Sequence, residues 1–205
     1  MNDLIENING SERSVEIPFT CESILEFCRR DDLVLEVGGV PTTDSDYIPI
    51  REALGDVGCN YEICDFRGGK YKGDFVTYDF GDTKFDVIMF ISSLEHFPQC
   101  TEGDMQFRES EDRRGFQKAL DILNPKGKII LTVPFGKPVW QKYHQNYNME
   151  KIKDLTEGSS IIKSFTYKLD DQNQTWVVED PLNMEEVLYT TKAYGVGCFI
   201  LEKNI

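Results

Sequence analysis

The sequence predicts a doubly wound α/β fold built on a mostly parallel sheet. Two apolar runs, 86–91 and 128–133, show no alternation between polar and apolar residues, which is typical of strands covered by helices on both faces. Between them, apolar residues recur at helical spacing in 116–123. The three segments therefore predict a βαβ unit with a right-handed crossover.

Breaks in the pattern mark the ends of these elements. The segment 124–127, Asn-Pro-Lys-Gly, predicts a type I turn after the helix, and Pro134 and Gly136 end the second strand. The first strand runs into polar residues at 92–96. Because ligands of open parallel sheets bind beyond the carboxyl ends of the strands, these polar groups mark the expected binding site.

The segments before this unit also alternate between helices and strands. Residues 1–14 are polar and expected to be mobile, and Thr20 is a candidate cap for the first helix. The predicted elements are a helix at 21–30, a strand at 33–37 leading into Gly38-Gly39, a helix at 48–57, a strand at 60–64 ending at Asp65, and a third short strand at 75–78 ending at Asp79.

After the βαβ unit the composition changes. Residues 137–150 are polar and aromatic without a clear period. The pattern further predicts a short helix at 149–155, two strands at 164–169 and 174–178 that pair around the turn 170–173, and a final strand at 197–202.

Size and composition limit the possible functions. A chain of 205 residues and 23.6 kDa suits one α/β domain. The formal charge is −14, and the dense basic pairs at 29–30 and 113–114 both stand beside acidic residues, which disfavours nucleic acid as a partner. No apolar run reaches the length of a membrane span, and the first residues lack a secretory signal, so a cytoplasmic location is expected.

The cysteines and histidines do not predict a metal site. Six cysteines stand at positions 21, 28, 59, 64, 100 and 198, without a CxxC pair. Reduced and mostly buried thiols are expected in the absence of a secretory context. With only two histidines in the chain, a zinc site would need unusual ligands, and no metal is predicted.

An acidic residue lies at the end of each of the first three predicted strands: Glu36, Asp65 and Asp79. A doubly wound sheet that binds a nucleoside needs close backbone approach after its first strand and a carboxylate for the ribose after its second. Gly38-Gly39 and Asp65 meet these needs. The glycines lack the G-x-G-x-x-G spacing, so a nicotinamide cofactor is disfavoured.

Five motifs in this order resemble the class I S-adenosylmethionine (SAM) dependent methyltransferases. They are VLEVGGV, YEICDF, GDFVTYDF, FISSLEHF and LNPKGKIILTVPFG. The resemblance covers about residues 30–136, with 164–202 supplying antiparallel sixth and seventh strands. It implies a Rossmann-like, seven-stranded sheet with an antiparallel C-terminal strand, and SAM as cofactor. LEVGGV and TVPFG are similar in particular to a subgroup often found among surface-polysaccharide genes.

The resemblance also implies roles for individual residues. Glu36, Gly38 and Gly39 would surround the methionine part of SAM, Asp65 would hold the ribose, Asp79 with Phe80 would meet the adenine, and Ser92 would line the pocket floor. The family usually shows E-x-G-x-G-x-G, whereas here Val40 and Thr42 occupy the later glycine positions and Pro41 follows Val40. The spacing of 65 − 36 = 29 residues is long, so Glu62 stays an alternative ribose ligand.

Each of these residues also has a purely structural interpretation. Glu36 could cap backbone amides, and Asp65 and Asp79 could be ordinary turn residues at strand ends, since Asp favours such positions. The Gly38-Gly39 pair could form only a tight turn. Its place at the expected ligand crevice favours the functional interpretation.

His96 and His144 are the candidate catalytic bases, because histidine titrates near neutral pH. In the family that the sequence resembles, a histidine at the position of His96 often packs beside the cofactor. The first choice for the base is therefore His144, which stands among Trp140, Tyr143 and Tyr147 as a candidate acceptor pocket.

The acceptor is expected to be a small polar molecule, with an oxygen of a sugar or related metabolite as the favoured atom. The chain lacks an Asp-Pro-Pro-Tyr type motif, and its fourth strand ends in Ser92-Ser93 instead of the acid of magnesium-dependent enzymes. Two alternatives stay open. One is a non-catalytic protein of the same fold that serves as a binding partner or scaffold, and the other is a sugar-nucleotide reductase.

Overall fold

The computed structural model describes residues 4–6, 11–39, 45–99, 110–141, 144–188 and 193–204. The strands are β1 (Leu4–Glu6), β2 (Leu33–Val37), β3 (Asn60–Asp65), β4 (Tyr71–Lys72), β5 (Phe85–Ile91), β6 (Leu123–Pro134), β7 (Trp140–Gln141), β8 (His144–Gln145), β9 (Ser159–Asp170), β10 (Thr175–Val178) and β11 (Gly195–Lys203). The α-helices are α1 (Arg13–Phe27), α2 (Ile48–Val57), α3 (Glu111–Ile122) and α4 (Met149–Leu155), and 3-10 turns lie at Ser45–Tyr47, Leu94–Gln99 and Pro181–Met184.

Nine strands of the described residues form one mixed sheet in the order β1-β10-β9-β11-β6-β5-β2-β3-β4. The half from β6 to β4 is parallel, and the half from β11 to β1 is antiparallel. The chain order reverses between β2 and β5, which is where doubly wound sheets bind ligands. The doubly wound α/β fold is confirmed. The described sheet has nine strands where the resemblance implied seven; β10 corresponds to the strand predicted at 174–178, and β1 was not predicted.

Helices cover both faces of the parallel half, which explains the continuous apolar runs. On β5, Ile88 and Phe90 belong to the cluster that includes α3 and α4, whereas Val87, Met89 and Ile91 belong to the cluster that includes α1 and α2. Both sets of side chains are therefore buried, and a strand buried on two faces shows no polar alternation.

Most predicted elements are confirmed. The strand at 33–37 and the helices at 48–57 and 149–155 have the predicted bounds. Strands β3, β9, β10 and β11 contain the predicted segments or overlap them with small shifts. As predicted, β9 pairs with β10, and the turn between them lies at 171–174, one residue later than predicted. None of the helices in the described part of the chain is long and apolar enough to cross a membrane.

The first helix is longer than predicted. It begins at Arg13, and Thr20, the expected cap, lies buried inside it. The helix continues through Pro18 because its first half buries Val15, Ile17 and Phe19, and tertiary packing outweighs the low helix propensity of proline. Residues 4–6, in the segment expected to be mobile, form β1 and pair with β10.

The third predicted strand, 75–78, is wrong. Residues 75–77 form a turn, in which the backbone N–H of Val76 donates to Oδ1 of Asp74 at 2.9 Å. The edge strand is β4, which lies just before this turn. The apolar character of the segment comes from ring packing, since Phe75 contacts Phe80 and Phe90 with ring centroids 5.8 and 5.7 Å apart.

The predicted type I turn at 124–127 is wrong. Lys126 has φ +61°, whereas the third residue of a type I turn has a negative φ. Residues 124–127 lie within β6 as an irregularity in its pairing with β5, where Leu123 pairs with Phe85 and Lys128 pairs with Val87. The helix before this segment begins at Glu111, five residues earlier than its apolar period indicates.

Candidate functional site

A cleft of about 420 Å³ lies at the carboxyl ends of β2, β3 and β5. Four of the residues predicted to form the site line it: Gly38, Asp65, Ser92 and His96. Its walls also contain residues that the sequence analysis did not select, among them Arg13, Tyr47, Phe66, Gly73, Asp74, Phe75, Ser93 and Phe97. The cleft therefore occupies the crevice expected of a doubly wound sheet.

Gly38 brings the end of β2 close to the end of β5. Its φ is +78°, in the left-handed region that favours glycine, and a Cβ added to it would lie 2.6 Å from Cβ of Ser93. The Oγ atom of Ser93 is buried at the cleft without a hydrogen-bond partner in the described structure. Glycine at position 38 thus keeps the cleft open beside an unsatisfied hydroxyl.

Glu36 lies behind the cleft wall. It is 3% exposed, and its carboxylate accepts a hydrogen bond from the hydroxyl of Tyr61. Burial raises the pKa of Glu36, and the bond from Tyr61 opposes that change. A Cβ on Gly39 would lie 2.6 Å from Cδ of Glu36. The Glu36 carboxylate therefore packs against Gly39 and leaves no room for a side chain there.

Asp65 presents a carboxylate to the cleft from the end of β3. It is 8% exposed, and its Oδ1 atom accepts hydrogen bonds from N of Arg67 at 2.7 Å and from Nε of Arg67 at 3.1 Å. These bonds fix the orientation of the carboxylate. Glu62, the alternative, lies three residues earlier on β3 and pairs with Nζ of Lys70 at 2.7 Å. It is not among the residues that line the cleft.

Asp79 and Phe80 lie away from the cleft. Asp79 is exposed and accepts a hydrogen bond from N of Gly81 at 2.9 Å. Phe80 is buried among aromatic rings, with its centroid 5.1 Å from that of Tyr71. The segment 73–76, which forms the turn after β4, lines the cleft instead.

Ser92 joins the cleft floor to helix α1. Ser92 has φ +42°. Its backbone N–H donates to both O and Oγ1 of Thr132, each at 3.1 Å. Its hydroxyl donates to Oε1 of Glu16, which also accepts from Oγ1 of Thr132 at 2.8 Å. Glu16 is fully buried and forms an ion pair with Arg13, whose Cζ lies 5.4 Å from the ring centroid of Tyr47.

Arg13 and Glu16 are site residues that the sequence did not predict, because its apolar period places the start of α1 after them. One signal could have indicated them. They stand three residues apart, the spacing of neighbours on a helix surface, and Val15, Ile17 and Phe19 surround them in sequence.

A second, smaller cavity of about 50 Å³ adjoins the cleft, since Arg13, Ser92 and His96 line both. It brings His96 and His144 together, with ring centroids 6.3 Å apart and planes at 80°. His144 is 9% exposed, and burial, aided by the charge of His96, lowers its pKa to about 4. His144 is therefore neutral at pH 7.

Glu95 is the other unforeseen residue of this cavity. It is 1% exposed, and burial raises its pKa to about 7. The distance from its Oε1 atom to Nε2 of His96 is 3.8 Å. Its Oε2 atom is buried and has no hydrogen-bond partner among the residues that the structure describes.

The aromatic residues near His144 do not all face the cavity. Tyr147 is part of the core, and its hydroxyl donates to Oδ2 of Asp112 at 2.8 Å. Trp140 lies in the β7–β8 hairpin, paired with Gln145. Tyr143 lies outside the described residues, as do Val40, Pro41, Thr42 and Cys100.

The five described cysteines are free thiols, and Cys28, Cys64 and Cys198 are buried. Among the residues in the described ranges, no group of three or more His, Cys, Asp or Glu side chains is arranged to hold a metal ion.

Solved structures share this architecture over almost the whole chain. The N-methyltransferase NodS from Bradyrhizobium japonicum WM9, in complex with S-adenosyl-L-homocysteine, superposes with a TM-score of 0.57 at 10% identity, covering 97% of this chain and 91% of NodS. A SAM-dependent methyltransferase from Archaeoglobus fulgidus gives 0.60 at 13%, covering 94% and 95%. The cyclase SpnF gives 0.57 at 13%, covering 90% and 80%. No family model and no curated protein matches the sequence.

These similarities establish a Rossmann-like methyltransferase fold. The order β4-β3-β2-β5-β6-β11-β9 is a seven-stranded sheet of the kind that the resemblance implied, with the antiparallel C-terminal strand β11 between β6 and β9 and with β4 in place of the wrongly predicted strand at 75–78. Because proteins of one fold perform different reactions, and both methyltransferases and a cyclase occur among these structures, function has to be argued from the site.

Proposed function

We propose that this protein is a SAM-dependent methyltransferase that acts on a small polar acceptor. The observation that carries the proposal is the cleft itself, which joins Gly38, Asp65 and the Ser92-Ser93 strand end at the switch point of the sheet. Its volume of about 420 Å³ falls within the range of about 300–1,000 Å³ that is typical of small-molecule sites. The structural neighbours of this fold include proteins that hold the cofactor or its product.

The residues around Gly38 fit the amino acid part of the cofactor. The absence of a side chain at position 38 lets a ligand approach the backbone, and the buried hydroxyl of Ser93 offers a hydrogen bond there. Gly39 would contribute its backbone, while Glu36 would hold the loop in shape. Ser92 would form the floor, in agreement with the expectation from the sequence.

The opposite end of the cleft fits an adenosine. Asp65 would accept hydrogen bonds from the ribose hydroxyls, because its carboxylate is fixed by Arg67 and lines the cleft. The sequence assigned the adenine to Asp79 and Phe80. We propose instead that Asp74 and Phe75 meet the base, since these two residues line the cleft.

The small cavity fits the reacting end of the acceptor. His96 and His144 meet there, next to Ser92. We propose an oxygen nucleophile on a sugar or related metabolite, as the resemblance of LEVGGV and TVPFG to polysaccharide-associated methyltransferases suggests. A neutral His144 would then form a hydrogen bond with the acceptor hydroxyl.

SAM supplies the electrophilic methyl group, so the protein chiefly has to align the acceptor and exclude water. The buried network of Arg13, Glu16, Ser92 and Thr132 fixes the floor on which the two cavities meet. A rigid floor favours catalysis, because small displacements from the aligned geometry slow a displacement reaction.

Binding of the cofactor tests the proposal directly. Mass spectrometry of the native protein should detect SAM or S-adenosylhomocysteine that copurifies, and calorimetry should give a dissociation constant for each. Asp65→Asn should weaken binding of S-adenosylhomocysteine by roughly 10-fold or more, since it removes charge-assisted hydrogen bonds. Asp121→Asn, at an exposed position on α3, is the matched control.

A wild-type protein that binds neither compound would overturn the proposal. Binding that is equal in wild type and Asp65→Asn would overturn the assignment of the ribose. Once binding is established, transfer of labelled methyl groups to sugars and sugar nucleotides would separate an enzyme from the non-catalytic alternative.

A further inference from the structure

Glu95 is a buried acid with one oxygen atom that the protein does not use. Its Oε2 atom has no hydrogen-bond partner in the described part of the chain, although the side chain is 1% exposed. Buried polar atoms are almost always paired, and an exception calls for an explanation. Because Glu95 lines the small cavity, a hydrogen-bond donor on a ligand would satisfy this atom.

The charged groups around Glu95 leave its Oε2 atom without a direct partner. Nε2 of His96 lies 3.8 Å from the other oxygen, Oε1, within ion-pair distance but beyond hydrogen-bond distance. Arg13 on α1 forms its ion pair with Glu16. The titratable and charged groups that face Glu95 or its cavity are Glu12, Arg13 and Glu16 from α1, His96 from its own segment, His144 from β8 and Tyr147 after β8.

The position of the cavity indicates which part of a ligand it takes. It shares Arg13, Ser92 and His96 with the large cleft, so it adjoins the proposed cofactor site. Its volume of about 50 Å³ compares with about 30 Å³ for one water molecule in the liquid. A cavity of this size admits only a small part of the acceptor, and the body of the acceptor lies outside.

We propose that Glu95 is the base that accepts the proton of the acceptor hydroxyl, an inference that rests on the proposed function. The hydroxyl oxygen forms a bond to the methyl carbon while the carbon–sulfur bond breaks and its electron pair stays on sulfur. The O–H proton passes to Oε2 of Glu95. The sulfonium becomes a neutral thioether and the carboxylate becomes a neutral acid, so charge is conserved.

Glu95 and His144 differ in how well they can accept the proton of the acceptor hydroxyl. Burial raises the pKa of Glu95 to about 7, and a general base works best when its pKa lies near the operating pH. Burial lowers the pKa of His144 to about 4, which makes its ring a weak base. His144 is then a hydrogen-bonding wall, and the catalytic proton goes to Glu95.

A cofactor analogue tests this assignment without knowledge of the acceptor. Sinefungin carries an amino group on the carbon that replaces the methyl-bearing sulfur, so its ammonium group stands where the methyl group is transferred. Calorimetry should show that wild-type protein at pH 8 binds sinefungin roughly 10- to 100-fold more tightly than S-adenosylhomocysteine, because a charge-assisted hydrogen bond forms with Glu95.

The preference should disappear in Glu95→Gln while the affinity for S-adenosylhomocysteine stays unchanged, which also shows that the variant is folded. Glu202→Gln, a change at a surface ion pair with Lys128, should keep the preference. In the wild type the preference should fall between pH 8 and pH 6, as Glu95 takes up a proton. This pH arm does not depend on any variant.

The two proposals fail in different ways. If the wild type binds neither ligand, the proposed function is overturned. If it binds both ligands and the ratio of their affinities is the same in Glu95→Gln and at every pH, the assignment of Glu95 is overturned and the cofactor site stands.

Discussion

A Cβ atom on Gly38 would lie 2.6 Å from Cβ of Ser93, so the ends of β2 and β5 are too close for a side chain at position 38. The contact joins the two strands between which the order of the sheet reverses. It places a glycine with φ +78° beside a buried hydroxyl. The site therefore depends on a residue that has no side chain.

Gly38→Ala should destabilise the protein and abolish cofactor binding. A residue other than glycine in the left-handed region costs about 1–3 kcal/mol, and the contact with Ser93 adds to this cost. Urea unfolding would measure the change in the free energy of unfolding. Calorimetry with S-adenosylhomocysteine would measure binding.

Gly55→Ala is the control for this substitution. Gly55 lies within α2, and a Cβ there would meet no atom within 4 Å. The change should stabilise the protein by about 0.5–1 kcal/mol, because alanine is the better helix former. A similar loss of stability in both variants would contradict the role assigned to Gly38.

Glu16→Ala should be strongly destabilising. Its carboxylate accepts hydrogen bonds from Ser92 and Thr132 and forms an ion pair with Arg13. The side chain of Glu16 is fully buried. Removing one partner of a buried ion pair typically costs about 3–5 kcal/mol. Chemical denaturation at pH 7 would give the difference in the free energy of unfolding.

Glu26→Ala provides the comparison on the same helix. Glu26 forms an ion pair with Lys163, and the Glu26 side chain is 50% exposed. Exposed ion pairs contribute at most about 1 kcal/mol to the free energy of unfolding. The loss in this variant should therefore be several-fold smaller. Equal losses would show that the Glu16 network contributes no more than a surface pair.

His144 should make the protein less stable as the pH falls below 6.5. The pKa of His144 is about 4 in the folded protein and 6.5 for an unperturbed histidine. Between these values the unfolded chain binds more protons than the folded one, so acidification favours unfolding. The free energy of unfolding of His144→Gln should decline less than that of the wild type between pH 6.5 and pH 4.

Glu95 supplies a control of opposite sign. Its pKa is about 7 in the folded protein and 4.5 for an ordinary glutamate, so the folded state binds the additional proton between these values. Acidification through this range favours folding. Glu95→Gln should therefore lose more stability than the wild type from pH 7 to pH 4.5, and identical pH profiles for the three proteins would contradict both assignments.

The parallel half of the fold could be predicted because its strands are buried on two faces. Segments 86–91 and 128–133 are continuous apolar runs in the sequence and correspond to strands β5 and β6. The same reasoning gave a wrong strand at 75–78, which contains Phe75. There the apolar character reflects packing of rings in a cluster, which local periodicity does not distinguish from a strand.

The candidate site could be predicted only in part. Gly38, Asp65 and Ser92 follow directly from strand ends, and all three line the cleft. Asp79 also follows a predicted strand, yet it is exposed. Residues 75–77 of that predicted strand form a turn, and residues 73–76 line the cleft in place of Asp79. Glu16 could not be found in this way, since its partner Ser92 lies 76 positions away.

The sequence by itself determined strands β2, β3, β5 and β6 with helices α2 and α3 between them, and the polar groups at the carboxyl ends of β2, β3 and β5. These follow from local pattern and from the rule that parallel strands share an edge. Only the tertiary structure decided which groups share a cavity. Glu95, His96 and His144 meet because α1 packs across the ends of β5 and β6 and because the chain returns through β8. Such contacts join residues distant in sequence, and each depends on backbone direction and burial that no local pattern encodes.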